Sequence, residues 1–290
     1  MGYLIRGITK NKNARFFCVD SKNIVEEAQK IHKCSATTIA AFGRVLTAGV
    51  IMGSDLKGEK DLLTIKITGD GALKQIIVTA NSKGYVKGYV SNPYADLPLN
   101  ENGKLDVGGI IGRGNLQIIK DMGLKEPYVG ISNLVSGEIG EDLANYFFYS
   151  EQVPSVVGVG VLVDKDLSIK RAGGFIIQLL PEADEEFINR LEEKIKTIKS
   201  VTEMLESNMS PEDIINSIFE NVEDIEILDK KEVKYNCDCD KDRFYRGLIT
   251  LDKNEIKEML ETDKEIKAKC HFCHKEYIFT EEDFKEFLEN

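Results

Sequence analysis

The stretch LLTIKIT (62–68), GDG (69–71), LKQIIVT (73–79), NSKG (81–84), YVKGYV (85–90) carries the clearest fold signal in the chain. Three runs rich in β-branched and aromatic residues are separated by two short turns containing glycine. Glycine supplies positive φ without a steric cost, so such turns predict antiparallel hairpins. Working outward, strands are expected at 3–9 and 15–19 upstream, and at 115–120, 128–134, 156–163 and 168–180 downstream. Ser21 is placed to cap a helix to about residue 33, with Ile24, Ala28 and Ile31 on one face. Ser35 is placed to cap a second helix, to about residue 56, and a third is expected over 138–149. Hairpins with a few interspersed helices predict an α+β domain rather than a doubly wound parallel sheet.

Composition divides the chain. Residues 1–181 hold 21 basic and 18 acidic side chains and 23 of the 24 glycines. Residues 182–234 hold 7 basic and 16 acidic side chains, and residues 235–290 hold 10 and 15. This predicts an α+β core domain over 1–181, a helical linker over 182–234 with no strands, and a small C-terminal domain over 235–290. In the linker, Phe187, Leu191, Ile195, Ile198, Thr202 and Leu205 repeat every three or four residues as one apolar stripe. Ser210-Pro-Glu-Asp213 starts another helix, with Ile214, Ile215, Ile218, Phe219 and Val222 on its apolar face. These amphipathic helices have no core of their own, and the nearly neutral first domain is the nearest surface that could bury them. In the last segment, helices are expected over 254–260 and 280–288, and a strand over 277–279.

The net charge of −11 disfavours nonspecific binding to nucleic acid or an anionic membrane. The most apolar stretch, 36–53, is interrupted by Arg44 and reads as a core helix, so no membrane span is expected. No signal peptide is visible at the N-terminus, which makes a cytoplasmic location the expectation. The cluster Gly108-Gly-Ile-Ile-Gly112-Arg-Gly114 lacks the order and the Lys-Ser/Thr ending of a phosphate loop and reads as a turn. No nucleophile–histidine constellation points to an enzyme.

Four of the six cysteines lie in the last fifth of the chain, as Cys237-Asp-Cys239 and Cys270-His-Phe-Cys273. Two close pairs of thiolates can hold one tetrahedral zinc ion, and without the metal each pair is close enough to oxidise. In a reducing compartment such cysteines are more often metal-binding or redox-active than structural bridges. Zinc ribbons usually carry two Cys-x-x-Cys knuckles at shorter separation, so a nucleic-acid ribbon fits poorly. His271 and His274 could substitute as ligands, although four thiolates fill a tetrahedral shell without them. Cys18 and Cys34 read as buried packing residues. A zinc-dependent nucleic-acid-binding regulator and a thiol-disulfide oxidoreductase remain as alternatives. The acidic tail counts against the first, and the absence of a thioredoxin-like βαβ context against the second.

The chain resembles the redox-regulated holdase chaperones of the thirty-three-kilodalton heat-shock protein (HslO) family. The four-cysteine spacing and the run Cys270-His-Phe-Cys273-His-Lys-Glu-Tyr-Ile-Phe279 carry the likeness in the tail. Gly88-Tyr-Val-Ser-Asn-Pro93, Glu126-Pro-Tyr128, Ser136-Gly-Glu-Ile139, Ser150-Glu-Gln-Val-Pro154 and Gly173-Gly-Phe-Ile-Ile-Gln-Leu-Leu-Pro181 carry it in the first domain. The resemblance implies an ATP-independent chaperone, inactive when reduced, with one zinc ion on Cys237, Cys239, Cys270 and Cys273. It implies that oxidation forms Cys237–Cys239 and Cys270–Cys273 disulfides, expels zinc and unfolds the linker. The client-binding surface would then include Phe187, Leu191, Ile195, Ile198, Ile214, Ile218 and Phe219. Unfolded client proteins, ATP-driven foldase chaperones downstream and a homodimeric active form are the partners implied.

Overall fold

The computed structural model describes residues 2–289. The first elements are β1 (Tyr3–Thr9), β2 (Ala14–Asp20), α1 (Lys22–His32), α2 (Ala36–Ser54), β3 (Leu62–Gly69), β4 (Gln75–Asn81) and β5 (Tyr85–Val90). Then come α3 (Val107–Ile111), β6 (Gly114–Asp121), β7 (Tyr128–Asn133), α4 (Gly140–Tyr146), β8 (Ser155–Val163) and β9 (Ile169–Leu179). A π-helical turn, Phe147–Glu151, extends α4. The chain continues through α5 (Glu185–Thr197), α6 (Val201–Glu206), α7 (Pro211–Phe219), β10 (Ile225–Glu232) and β11 (Lys234–Tyr235). It ends with α8 (Lys241–Leu248), α9 (Lys253–Asp263), β12 (Ile266–Lys269), β13 (Glu276–Phe279) and α10 (Glu281–Glu289). These elements form two compact units, one through Asn236 and one from Cys237 onward.

In the first unit, one sheet has strand order β10-β1-β2-β9-β8 and the other β11-β5-β4-β3-β6-β7. All neighbours pair antiparallel except β11, which runs parallel to β5. Helix α2 packs against strands of both sheets. Its residues are buried all round apart from the partly exposed Ala36 and Arg44, as a helix that is apolar on every face requires. Arg44 pairs with Glu138. Among the described residues α2 is the one helix long and apolar enough to cross a bilayer, and this packing accounts for its composition.

Period-two alternation gives the five-stranded sheet two apolar faces. Phe17 and Val19 of β2 join the core around α2, whereas Phe16 and Cys18 point the other way. On that second face Ile5, Phe16, Phe175 and Ile177 meet α5, α6 and α7. Phe219 sits at its centre, with ring centroids 5.8 Å from Phe16 and 6.5 Å from Phe187.

Several local expectations change. The segment 182–234 contains a strand: β10 pairs antiparallel with β1, from Tyr3↔Glu232 to Thr9↔Ile225, with an irregularity at Arg6/Gly7. Its sequence IEILDKKE is mostly charged and shows no alternation; an edge strand needs one paired backbone face and no buried side-chain row. The compositional step near Pro181 therefore lies inside the first compact unit. The apolar stripe of the linker breaks at Ile198, which ends α5 in extended conformation, and the chain restarts at the Ser200 capping box of α6. Ser210 caps α7 in a capping box with Asp213.

Of the glycine cluster at 108–114, expected as a turn, residues 108–111 lie in the short helix α3, capped by Asp106, and Gly112, at φ 74, and Arg113 bend the chain into β6. Gly84 closes the β4–β5 hairpin at φ +78, as expected. In the β3–β4 turn the positive φ belongs to Lys74, at 66. Gly69 and Gly71 are needed there because α3 backbone lies against them: a Cβ at Gly69 would stand 2.0 Å from the Ile111 carbonyl oxygen. Ser21 makes no cap bond and instead shares a hydrogen bond of 2.7 Å with Thr47.

In the second unit, β12 and β13 form a hairpin, with Ile266↔Phe279 at one end and Lys269↔Glu276 at the other. Helices α9 and α10 pack on it. Its apolar core is Ile256, Leu260, Ile266, Tyr277, Phe279 and Phe284. Such a core is marginal for an independent unit of this size.

Candidate metal centre

The β12–β13 register leaves residues 270–275 as the connecting turn. The Cys270 N–H donates to the Lys275 carbonyl at 2.9 Å, and the His274 N–H to the Cys270 carbonyl at 2.8 Å. His274 takes the left-handed conformation, φ 58, that reverses the chain. Cys237 and Cys239 lie just before α8, whose N-terminus is capped by Asp240.

The four Sγ atoms lie within 4.8 Å of one another. Cys237 Sγ is 3.7 Å from Cys270 Sγ, and Cys239 Sγ is 3.4 Å from Cys273 Sγ. Zinc–sulfur bonds of about 2.3 Å in a tetrahedron place the sulfurs about 3.8 Å apart. The donor set and its spacing therefore fit one ion shared by both pairs, and these four cysteines can hold a metal. His271 and His274 are exposed and stand outside this cluster.

Backbone amides serve two of the sulfurs: the Cys239 N–H faces Cys237 and the Lys275 N–H faces Cys273. Burial still pushes the thiols of Cys237 and Cys273 above the ordinary range. At Cys239 burial works the same way, but hydrogen bonds from Tyr277 and the neighbouring thiols outweigh it and lower its pKa. The Tyr277 hydroxyl donates to the Cys239 carbonyl at 2.8 Å and reaches its Sγ at 3.3 Å. Sequence reading missed this residue. A strand at 277–279 puts Tyr277 and Phe279 on one face, but only folding shows which face meets the sulfurs.

All six cysteines are free thiols. Cys18 and Cys34 are buried in the first unit. Burial pushes Cys34 up to about 12 and Cys18 far above the thiol range, so neither forms the thiolate that oxidants attack.

The linker residues predicted to meet clients are packed inward. Phe187, Leu191, Ile214, Ile218 and Phe219 are buried, and Ile195 and Ile198 half-buried, on the second face of the five-stranded sheet. Ile215, Met204, Leu205 and Val201 lie buried with them. The seal is incomplete: a groove of about 340 Å³ runs along α5, lined by Pro154, Val156, Leu179, Ile188 and Ile195 among others.

A two-sheet core wrapped around one buried helix, followed in sequence by a four-thiol unit, defines the class. The family model described as "Hsp33 protein" matches residues 2–280, and the chain belongs to that family. It is 49% identical over 282 residues to the 33 kDa chaperonin of Clostridium acetobutylicum, covering 97% of this chain and 95% of that protein. It is 50% identical over 288 residues to the 33 kDa chaperonin of Clostridium perfringens strain 13, covering 99% and 90%. The crystal structure of the 33 kDa chaperonin of Thermotoga maritima superposes with a TM-score of 0.90 at 37% identity, covering 99% and 97%. The chain is thus a chaperone, a protein that binds unfolded polypeptides.

Proposed function

We propose that this chaperone is an ATP-independent holdase whose activity is switched by thiol oxidation. In the reduced form Cys237, Cys239, Cys270 and Cys273 ligate zinc as thiolates. Held by these four sulfurs, zinc would cross-link the two cysteine pairs and keep the thiols ionised. The supporting observation is the convergence of four sulfurs within 4.8 Å in a unit whose buried core, among the described residues, is only six residues. Structural zinc contributes on the order of 10–16 kcal/mol of apparent folding energy, against total domain stabilities of about 5–15 kcal/mol. A unit built this way loses its fold when its ligands are oxidised.

The disulfides are Cys237–Cys239 and Cys270–Cys273. Each forms by loss of two electrons from a thiolate pair to an oxidant such as a peroxide, whose O–O bond breaks to give water or an alcohol. With the thiolates gone, the small C-terminal domain unfolds and the linker 182–234 is released from the core domain 1–181. Moving a two-state element from 1:99 to 99:1 needs about 5.5 kcal/mol, well within what the metal site provides. Phe187, Leu191, Ile195, Ile198, Ile214, Ile218 and Phe219, with the sheet face under them, then offer an apolar surface to clients. The acidic backs of α5–α7 keep the complexes soluble. The active form is a cytoplasmic homodimer that passes clients to ATP-driven foldases.

The test is light scattering from a heat-denatured client, with reduced and peroxide-treated chaperone and zinc release followed in parallel. Oxidised protein suppresses aggregation as zinc leaves, and reduced protein does not. Equal suppression in both states, or no zinc in the reduced protein, overturns the reading.

A further inference from the structure

We propose that Tyr277 is a positioning residue of the sulfur site: its hydroxyl holds Cys239 in place, draws charge from that thiolate and slows its oxidation. The inference rests on the metal reading above and adds to it a residue that sets the rate of the switch.

The placement is specific. Tyr277 is buried on β13, fixed by its pairing with Ala268 of β12. Its ring packs on Phe244, centroids 5.0 Å apart. Lys275 Nζ stands 4.9 Å from the ring centroid. The hydroxyl has one proton and two acceptors on one residue, the Cys239 carbonyl at 2.8 Å and Sγ at 3.3 Å. The carbonyl contact locks the Cys-x-Cys backbone. The sulfur contact matters once Cys239 is ionised, because a thiolate is a far better acceptor than a thiol. A phenylalanine would fill the same space and pack on Phe244 equally well, so the hydroxyl is what this position adds.

A hydrogen bond to a thiolate stabilises its charge, and nucleophilicity falls with that stabilisation. In the step affected, the Cys239 sulfur donates an electron pair to a peroxide oxygen. The O–O bond breaks, a sulfenic acid forms, and the hydroxide that leaves takes a proton from water. A neighbouring thiolate then displaces hydroxide from the sulfenic acid to give the disulfide. Removing the Tyr277 hydroxyl leaves Cys239 more electron-rich and speeds the first step.

The test compares Tyr277→Phe with the intact protein and with Tyr245→Phe, which removes a hydroxyl elsewhere in the same unit. Zinc release on peroxide addition is followed with a chromogenic chelator, and the sulfur-to-metal charge-transfer band is recorded after cobalt(II) substitution. Tyr277→Phe should release zinc about three- to tenfold faster and move the band to lower energy, with Tyr245→Phe unchanged. A merely structural role would not move that band in step with the donor strength of the residue at 277. Should Tyr277→Phe fail to take up cobalt, 3-fluorotyrosine at 277, a stronger donor, should slow release and move the band to higher energy. Unaltered band and rate in a metal-loaded variant overturn this inference and leave the metal site standing. An intact protein that takes up neither zinc nor cobalt overturns both.

Discussion

The two compact units of this chaperone are built differently. The first encloses α2 between two sheets and buries residues such as Phe42, Leu46, Ile65 and Ile118 completely or nearly so. The second has a small apolar core and, beside it, four converging thiols. Burial scales with size and metal ligation does not, so a short unit gains most from ligation. A large core also has no chemical trigger, whereas thiolate ligands can be oxidised. The five-stranded sheet repeats the contrast at smaller scale. One face is sealed by α2, and the other is covered by three short helices that leave a groove open.

Chelation should separate the units most sharply. Stripping zinc from the reduced protein should expose the amides of 237–289 to rapid hydrogen exchange while α2 and β3–β6 stay protected, reflecting a loss of about 10–16 kcal/mol of apparent folding energy. Uniform exchange across both units would end the comparison.

The core around α2 and the layer under α5–α7 can be compared by substitution. Phe42→Ala and Phe219→Ala should each cost about 3–5 kcal/mol. Phe42→Ala should lower the midpoint of global denaturation. Phe219→Ala should speed proteolysis within 182–234 while the reduced zinc site stays intact. Equal cleavage in the two variants would mean that the linker helices are not a separate layer.

Removing a helix cap is a gentler probe of the same layer. Ser210 accepts from the Asp213 N–H at 3.1 Å, and the Asp213 carboxylate accepts from Ser210 N–H at 2.9 Å. Ser210→Ala should destabilise α7 by about 1 kcal/mol, read as a faster exchange of its first-turn amides.

The smallest effect is one of pH. Glu212 on α7 accepts from the Tyr3 hydroxyl at 2.5 Å and from Lys230 at 2.9 Å, tying the helix to β1 and β10. Burial alone would raise its pKa, but these two bonds outweigh it and hold the carboxyl below the usual glutamate range. A carboxyl depressed in the folded state stabilises above its unfolded pKa and loses that contribution as pH falls through the folded one. Acidification below about pH 4.3 should therefore loosen α7, and Glu212→Gln should flatten that limb of the denaturation profile. An unchanged limb would remove Glu212 as a tether.

Much of this organisation was legible in advance because its causes are local. Alternation and turn glycines located the strands of the core, and Ser35 and Ser210 stand where side-chain oxygens satisfy the first amides of α2 and α7. The break at Ile198 was hidden because the apolar period continues through it; only the path across the sheet makes the chain turn there. Strand β10 was hidden because its side chains carry no pattern and its structure comes from the free backbone of β1. Helix α8 and strand β12 escaped for a similar reason, each being short and held by tertiary neighbours.

By itself, the amino-acid order determined the α+β class, the amphipathic character of the linker and the set of four sulfur donors, since each follows from residue type and spacing along the chain. Tertiary structure alone decided that the sulfurs converge within 4.8 Å, that the linker stripe lies against Phe16 and Phe175, and that the Tyr277 hydroxyl reaches Cys239. These are distances between residues far apart in sequence, and packing sets them.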